Sequence, residues 1–212
     1  MRGRFITFEG GEGAGKSTQV RALVARLRDQ GLEVVQTREP GGSVGAEALR
    51  ELLVTGEAGR WSPLSETLMM YAARANHLEQ TIRPALERGA WVVCDRFSDS
   101  TRAYQGAGGR ISGTFIDQID QAVVGKDQPD LTLILDMPVE AGLKRALSRG
   151  DNENRFESKG LDFHQRLRHG FIERAAAHPD RYHIVAADQS IEALSEDIWR
   201  IVSGRWPALR GA

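Results

Sequence analysis

Short apolar runs alternate with longer stretches of helical spacing along the whole chain. The runs at 4–8, 33–37, 91–95, 131–136 and 182–185 read as strands. Several lack polar alternation, as in Val92-Val93-Cys94 and Leu133-Ile134-Leu135, a pattern that suits strands covered on both faces. Residues 17–30 place Val20, Leu23, Val24 and Leu27 on one helical face, and Gly31 ends the repeat. Further helices are expected at 65–88, kinked at Pro84, and at 113–124, 139–148, 162–177 and 191–202. Strands alternating with helices predict a three-layer α/β/α fold around a five-stranded parallel sheet.

Composition narrows the class. With 41% hydrophobic and 27% charged residues, the 212-residue chain has the make-up of an ordinary globular protein, long enough for a sizeable core. No repeat, low-complexity tract or linker divides it, so one domain over 1–212 is expected. The formal net charge of −1 argues against a surface for long nucleic acid, although local arginine clusters could still grip a small phosphorylated ligand. The single cysteine, Cys94, excludes an intrachain disulfide and reads as core. No signal peptide fits Met1-Arg2-Gly3-Arg4, and no apolar run approaches the ~20 residues of a membrane span. A cytoplasmic enzyme, with no membrane partner, is the natural expectation. The polar stretch from Arg149 to Arg155 is too hydrophilic for core and reads as a mobile loop between two helices.

Candidate chemistry begins at Gly10-Gly11-Glu12-Gly13-Ala14-Gly15-Lys16-Ser17, which matches the phosphate-loop pattern G-x-x-x-x-G-K-[ST]. A predicted strand precedes it and an amphipathic helix follows. Glycines let backbone N–H groups turn toward phosphate oxygens, and the helix N-terminus adds its dipole. Lys16 can reach the β- and γ-phosphates of a nucleoside triphosphate, and the Ser17 hydroxyl can ligate Mg²⁺. The loop alone does not name the reaction. A GTPase would need N-K-x-D after a late strand, and no such tetrapeptide occurs. The third strand ends in Asp95-Arg96 rather than in a bare acid. Ligands of open parallel sheets bind outside the carboxyl ends of the strands. Arg38 and Arg96 come from that edge and could grip a second phosphate group bidentately.

Several motifs together resemble the thymidylate kinase family. They are Phe8-Glu9-Gly10-Gly11-Glu12-Gly13-Ala14-Gly15-Lys16-Ser17-Thr18, Thr37-Arg38-Glu39-Pro40-Gly41-Gly42, Asp95-Arg96-Phe97, Ala103-Tyr104-Gln105-Gly106, and Pro129-Asp130-Leu131-Thr132 leading to Leu135-Asp136. They run in family order from residue 5 to about residue 190. The resemblance implies a nucleoside monophosphate kinase-like fold and transfer of the γ-phosphoryl group of ATP to dTMP, with Mg²⁺. It implies that Arg38 and Arg96 bind the dTMP phosphate and that Glu12 approaches the sugar 3′-hydroxyl. Arg74 would hydrogen-bond the thymine edge, Thr101 would read the polar edge of the base, and Tyr104 would crowd the sugar 2′ carbon and reject ribonucleotides. Asp95 would assist Mg²⁺ through water. Arg149 and Arg155 fall in a lid segment at about 149–157, Arg145 lies near the adenine, and the backbone around Ala187 and Asp188 would hold that ring. A homodimer through long helices such as 65–88 is implied as well.

Two departures matter. Where many members have Phe four residues before the arginine at 74, this chain has Met70, followed by Tyr71. Residues i and i+4 share a helix face and i+1 is turned away by about 100°, so Met70 is the better candidate for the base contact. The loop also carries Glu12-Gly13-Ala14, without the arginine of one family branch. The chain resembles the bacterial-type branch, in which lid arginines supply that charge. Two other readings stay open at this point: another nucleoside monophosphate or deoxynucleoside kinase, and a non-catalytic P-loop module that binds ATP without turnover.

Overall fold

A computed structural model describes residues 2–57, 59–148 and 159–210. Five strands form one parallel sheet: β1 (Phe5–Glu9), β2 (Val34–Arg38), β3 (Trp91–Asp95), β4 (Leu131–Asp136) and β5 (Tyr182–Ala186). Their spatial order is β2-β3-β1-β4-β5. All five residues of β1 are buried, as expected of a central strand with helices on both faces. One apolar layer packs Ile6, Phe8, Val93, Leu133 and Val185 against helix α1 (Lys16–Asp29) and the C-terminal helix Ile191–Arg205. Phe5, Val92, Cys94 and Phe97 form part of the opposite layer with Leu78, Ile82 and Leu86. Cys94 is buried and free.

The first two strands run one residue later than the pattern suggests. Glu9 and Arg38 are therefore the last residues of β1 and β2, not the first residues after them. The helix expected at 65–88 is three segments. Helix α2 (Val44–Val54) precedes them, followed by α3 (Pro63–His77), a π-helical turn at Leu78–Ile82, and α4 (Arg83–Glu87). Within the π turn the Arg83 N–H bonds to Leu78 O, five residues back. Pro84 then falls in the first turn of α4, directly after the π turn.

Two helical stretches lie outside the expected set. α2 places Ala46, Leu49 and Leu53 at i, i+3 and i+7, a short apolar stripe of which Ala46 and Leu53 are buried. The other is α5 (Ser98–Thr101), which runs into a π-helical turn at Arg102–Gly108. Its buried face includes Ser98, Asp99, Thr101 and Gln105, so the hydrophobic pattern could not mark it. The chain continues through α6 (Gly113–Val123), α7 (Val139–Leu147), α8 (Leu161–Ala177) and α9 (Ile191–Arg205).

Candidate active site

The phosphate loop leaves the carboxyl end of β1 and enters α1. Gly10, Gly13 and Gly15 have φ of 132°, 70° and 86°, in the region that side chains disfavour. Gly13 is constrained twice over, since a Cβ there would lie 2.0 Å from Gly142 O of α7. Lys16 folds back over the loop, donating to Gly11 O (2.7 Å) and Gly10 O (3.1 Å). Burial, and then the neighbouring Arg96 cation, lower its pKa to about 8, although Glu12, Asp95 and Glu9 pull the other way. The Ser17 hydroxyl donates to Asp95 Oδ2 at 2.5 Å.

Arg96 sits just past β3 with φ of 67°, its N–H bonded to Phe8 O at 2.9 Å. That bend turns its guanidinium across the loop. Nη1 donates to Gly10 O (3.0 Å) and Ser100 Oγ (3.2 Å), and Nη2 to Glu12 Oε2 (2.7 Å). The group also lies over the Tyr104 ring, 4.9 Å from its centroid. Burial works against its charge, but Tyr104, Glu12, Asp95 and Glu9 outweigh that and hold its pKa above the ordinary value. Tyr104 OH donates to the other Glu12 oxygen at 2.6 Å. Burial would raise the Glu12 carboxyl, yet Arg96, Lys16 and the Tyr104 hydroxyl keep it below its usual range.

A second cluster lies farther along the same cavity. Arg74 of α3 is 2% exposed. Its Nε donates to Glu39 Oε2 (2.8 Å) and its Nη2 to Thr101 Oγ1 (3.1 Å). Nη1 is buried and has no hydrogen-bond partner among the described residues. Met70, one turn earlier, faces the cavity, whereas the next residue, Tyr71, is in the core with its hydroxyl on Asp120 at 3.1 Å.

One cavity of about 360 Å³ gathers Glu12, Gly13, Ala14, Gly15, Lys16, Ser17 and Thr18 with Arg38, Met70, Arg74, Asp95, Arg96, Thr101 and Tyr104. Arg38 is in register with Asp95 on the neighbouring strand, and its exposed side chain donates to Glu47 Oε2 at 3.2 Å. Gly10 and Gly11 contribute the carbonyls that Lys16 and Arg96 use. Arg145 is not in this cavity; it reaches Ala187 O (3.4 Å) and Asp188 Oδ1 (3.3 Å) beyond β5, which at least joins the three positions expected near adenine. Arg149 and Arg155, with the rest of the lid segment at about 149–157, lie outside the described residues.

Sequence reasoning gave no role to Glu9, Glu39, Arg50 or Gln105. Glu9 accepts from Phe97 N (2.7 Å) and Ser100 N (3.2 Å) and shares a 2.5 Å hydrogen bond with Ser100 Oγ, fixing the start of α5. Burial, and then the Asp99 carboxylate, push the Glu9 carboxyl up to about 8. Arg50 and Gln105 line the cavity, the first bonded to Pro40 O (2.7 Å) and the second to Glu66 Oε1 (2.7 Å). Glu9 and Glu39 stood inside the quoted motifs, and a carboxylate at or beside the end of an apolar strand was the available signal.

A phosphate loop facing arginines from the ends of β2 and β3, with a buried polar pocket beyond them, defines a P-loop kinase of the nucleoside monophosphate type. Comparisons with known proteins narrow the class. The family model for thymidylate kinase matches residues 8–198. A thymidylate kinase of Caulobacter vibrioides is 57% identical over 204 residues, which is 96% of this chain and 98% of that protein. One from Pseudomonas putida is 50% identical over 211 residues, covering 100% of both chains. The crystal structure of thymidylate kinase from Ehrlichia chaffeensis superposes with a TM-score of 0.79 at 32% identity, covering 95% of this chain and 100% of that one. The chain belongs to the thymidylate kinase family, whose members phosphorylate dTMP to dTDP with ATP.

Proposed function

We propose a division of labour in this cavity for the transfer of the γ-phosphoryl group from ATP to dTMP, giving ADP and dTDP. The observation that carries it is a shared acceptor. Lys16 Nζ and Arg96 Nη1 both donate to Gly10 O, at 3.1 and 3.0 Å. The cation of the phosphate loop and the cation at the end of β3 thus meet at one point. A donor phosphate on Lys16 and an acceptor phosphate on Arg96 and Arg38 would be neighbours, as in-line transfer requires. Arg74, Thr101 and Met70 take the base, and Glu12 and Tyr104 take the sugar. Arg145, with the backbone at Ala187 and Asp188, lies toward the adenine.

Phosphoryl transfer asks the protein mainly for alignment and for neutralisation of charge. Lys16 and the loop N–H groups hold the donor phosphates. Arg38 and Arg96 align the acceptor and exchange their present bonds to Glu47 and Glu12 for bonds to phosphate. The oxygens of Ser17 and Asp95, 2.5 Å apart, suit Mg²⁺, which prefers a few hard protein ligands and completes its shell with water and phosphate. When bound, Mg²⁺ would neutralise charge on the β- and γ-phosphates.

A homodimer is part of the same proposal, supported by leucines that α3 leaves exposed. So is a cytoplasmic location, where both nucleotides are made and used. Among the described residues no helix is long and apolar enough to cross a membrane. The test is an acceptor panel of dTMP, dUMP, AMP, CMP and thymidine, read by coupled ADP release. dTMP should give the highest kcat/KM, and a higher value for AMP or CMP would overturn the assignment. ATP binding without turnover of any acceptor would favour the non-catalytic reading instead.

A further inference from the structure

The motif Thr37-Arg38-Glu39-Pro40-Gly41-Gly42 contains more than phosphate binding uses, and His77 is a titratable side chain, 0% exposed, with no part in phosphoryl transfer. These residues meet. Glu39 Oε2 accepts from Arg74 Nε (2.8 Å), and Glu39 Oε1 is bonded to His77 Nδ1 (2.9 Å). The other ring nitrogen of His77 is bonded to Thr37 Oγ1 at 2.7 Å. Gly42 closes over that last bond, since a Cβ there would come within 2.3 Å of His77 Nε2 and 2.4 Å of Thr37 Oγ1. The chain of bonds runs from β2, through α3, to the guanidinium.

We propose that Thr37, His77 and Glu39 are positioning residues that lock Arg74 so that it selects a pyrimidine with a carbonyl, not an amino group, at C4. The proposal rests on the reading of Arg74 as the base-contacting residue. The guanidinium also lies over two rings, 4.7 Å from the Tyr71 centroid and 5.2 Å from that of Phe97. Glu39 takes Nε and Thr101 takes Nη2, which leaves Nη1 as the nitrogen without a partner. A guanidinium can only donate. A carbonyl at C4 accepts from it, whereas the 4-amino group of cytosine would set donor against donor. That discrimination requires the plane not to turn. A carboxylate held at only one oxygen could swing with the arginine. His77 holds the second oxygen, and Thr37 holds His77.

The test compares kcat/KM for dTMP and dCMP, and KM for ATP, in the parent, His77→Leu, His77→Asn, Thr37→Val and Arg74→Ala. Losing a hydrogen bond to a charged group should lower the dTMP/dCMP ratio of His77→Leu by about tenfold, mainly through dTMP KM. ATP KM should stay within about twofold. His77→Asn can still donate to Glu39 and should keep most of the ratio. Thr37→Val should lower it by about threefold. A folded His77→Leu protein with an unchanged ratio overturns the proposal. So does His77→Asn if it falls as far as His77→Leu, or an equal rise in both KM values at constant ratio, which is what mere structural damage would give. Should His77→Leu not fold, Thr37→Val decides, and an unchanged ratio there is equally fatal. If Arg74→Ala itself leaves the ratio intact, the base-contact reading falls and takes this proposal with it. If only Arg74→Ala changes the ratio, the relay alone is wrong.

Discussion

The role proposed for Lys16 needs a cation in a place that disfavours cations. The Lys16 pKa near 8 comes chiefly from burial and from Arg96. Bound phosphates would raise it, so the complex holds a proton that the free enzyme releases above pH 8. Affinity for nucleotide must then fall as pH rises through that value. The dissociation constant of a non-hydrolysable ATP analogue, titrated from about pH 7 to pH 9.5, should be level below 8 and climb toward tenfold per unit above it. Lys16→Ala should abolish turnover with the fold kept and remove the climb. A level profile in the parent, or near-normal turnover in folded Lys16→Ala, contradicts the role given to Lys16. The spacing of the phosphate loop made the placement of Lys16 and Ser17 legible because it depends on local backbone. Glu39, His77 and Glu9 were not, since each acts through partners far away in sequence. Their bonds span 35 residues for Glu39–Arg74, 38 for Glu39–His77 and up to 91 for Glu9–Ser100, distances at which spacing carries no signal.

All five strands were legible, β1 and β2 one residue out of place, because the central parallel strands are apolar on both faces and little else in a chain of this composition is. The helices divided by the chemistry of their buried side. α1 buries Val20, Leu23, Val24 and Leu27 and showed itself. α5 buries serine, aspartate and threonine, and did not. α3 poses the opposite case, because it shows apolar residues that the fold leaves uncovered. Leu64 and Leu68, i and i+4 on one face, are 48% and 46% exposed, and Leu52 of the adjoining α2 is 38% exposed. In the proposed homodimer a second copy of the chain covers them, at about 1.5–3 kcal/mol for each leucine fully buried. Leu68→Glu should therefore shift sedimentation from dimer to monomer at micromolar concentration. If the parent itself sediments as a monomer, the homodimer must be given up.

Across the molecule, charge is distributed unevenly between the two phosphate sites. In the proposed arrangement Arg38 and Arg96 serve the acceptor, while the phosphate loop supplies Lys16 and no arginine. The proposed remedy is the lid segment, with Arg155, or Arg149 as the alternative, brought onto the transferring group. A cation that acts mainly in the transition state changes kcat with little change in KM for dTMP. Arg155→Ala or Arg149→Ala should lower kcat on the order of 10³ if it removes such a residue. If both variants and the double variant keep kcat within about threefold, worth only ~0.7 kcal/mol of barrier, the lid arginines have no such role.

Gly13 and Gly142 bear on how this enzyme can change. A Cβ on Gly13 would collide with Gly142 O, and one on Gly142 would come within 2.5 Å of Glu12 O. Both obstacles are main-chain atoms, so no repacking of side chains can make room. Two mutations cannot rescue each other here, as they can where a large residue and a small one trade places. For an engineer the pair is a fixed point: libraries that vary the loop or α7 should hold both glycines constant, because each closes off the same evolutionary route.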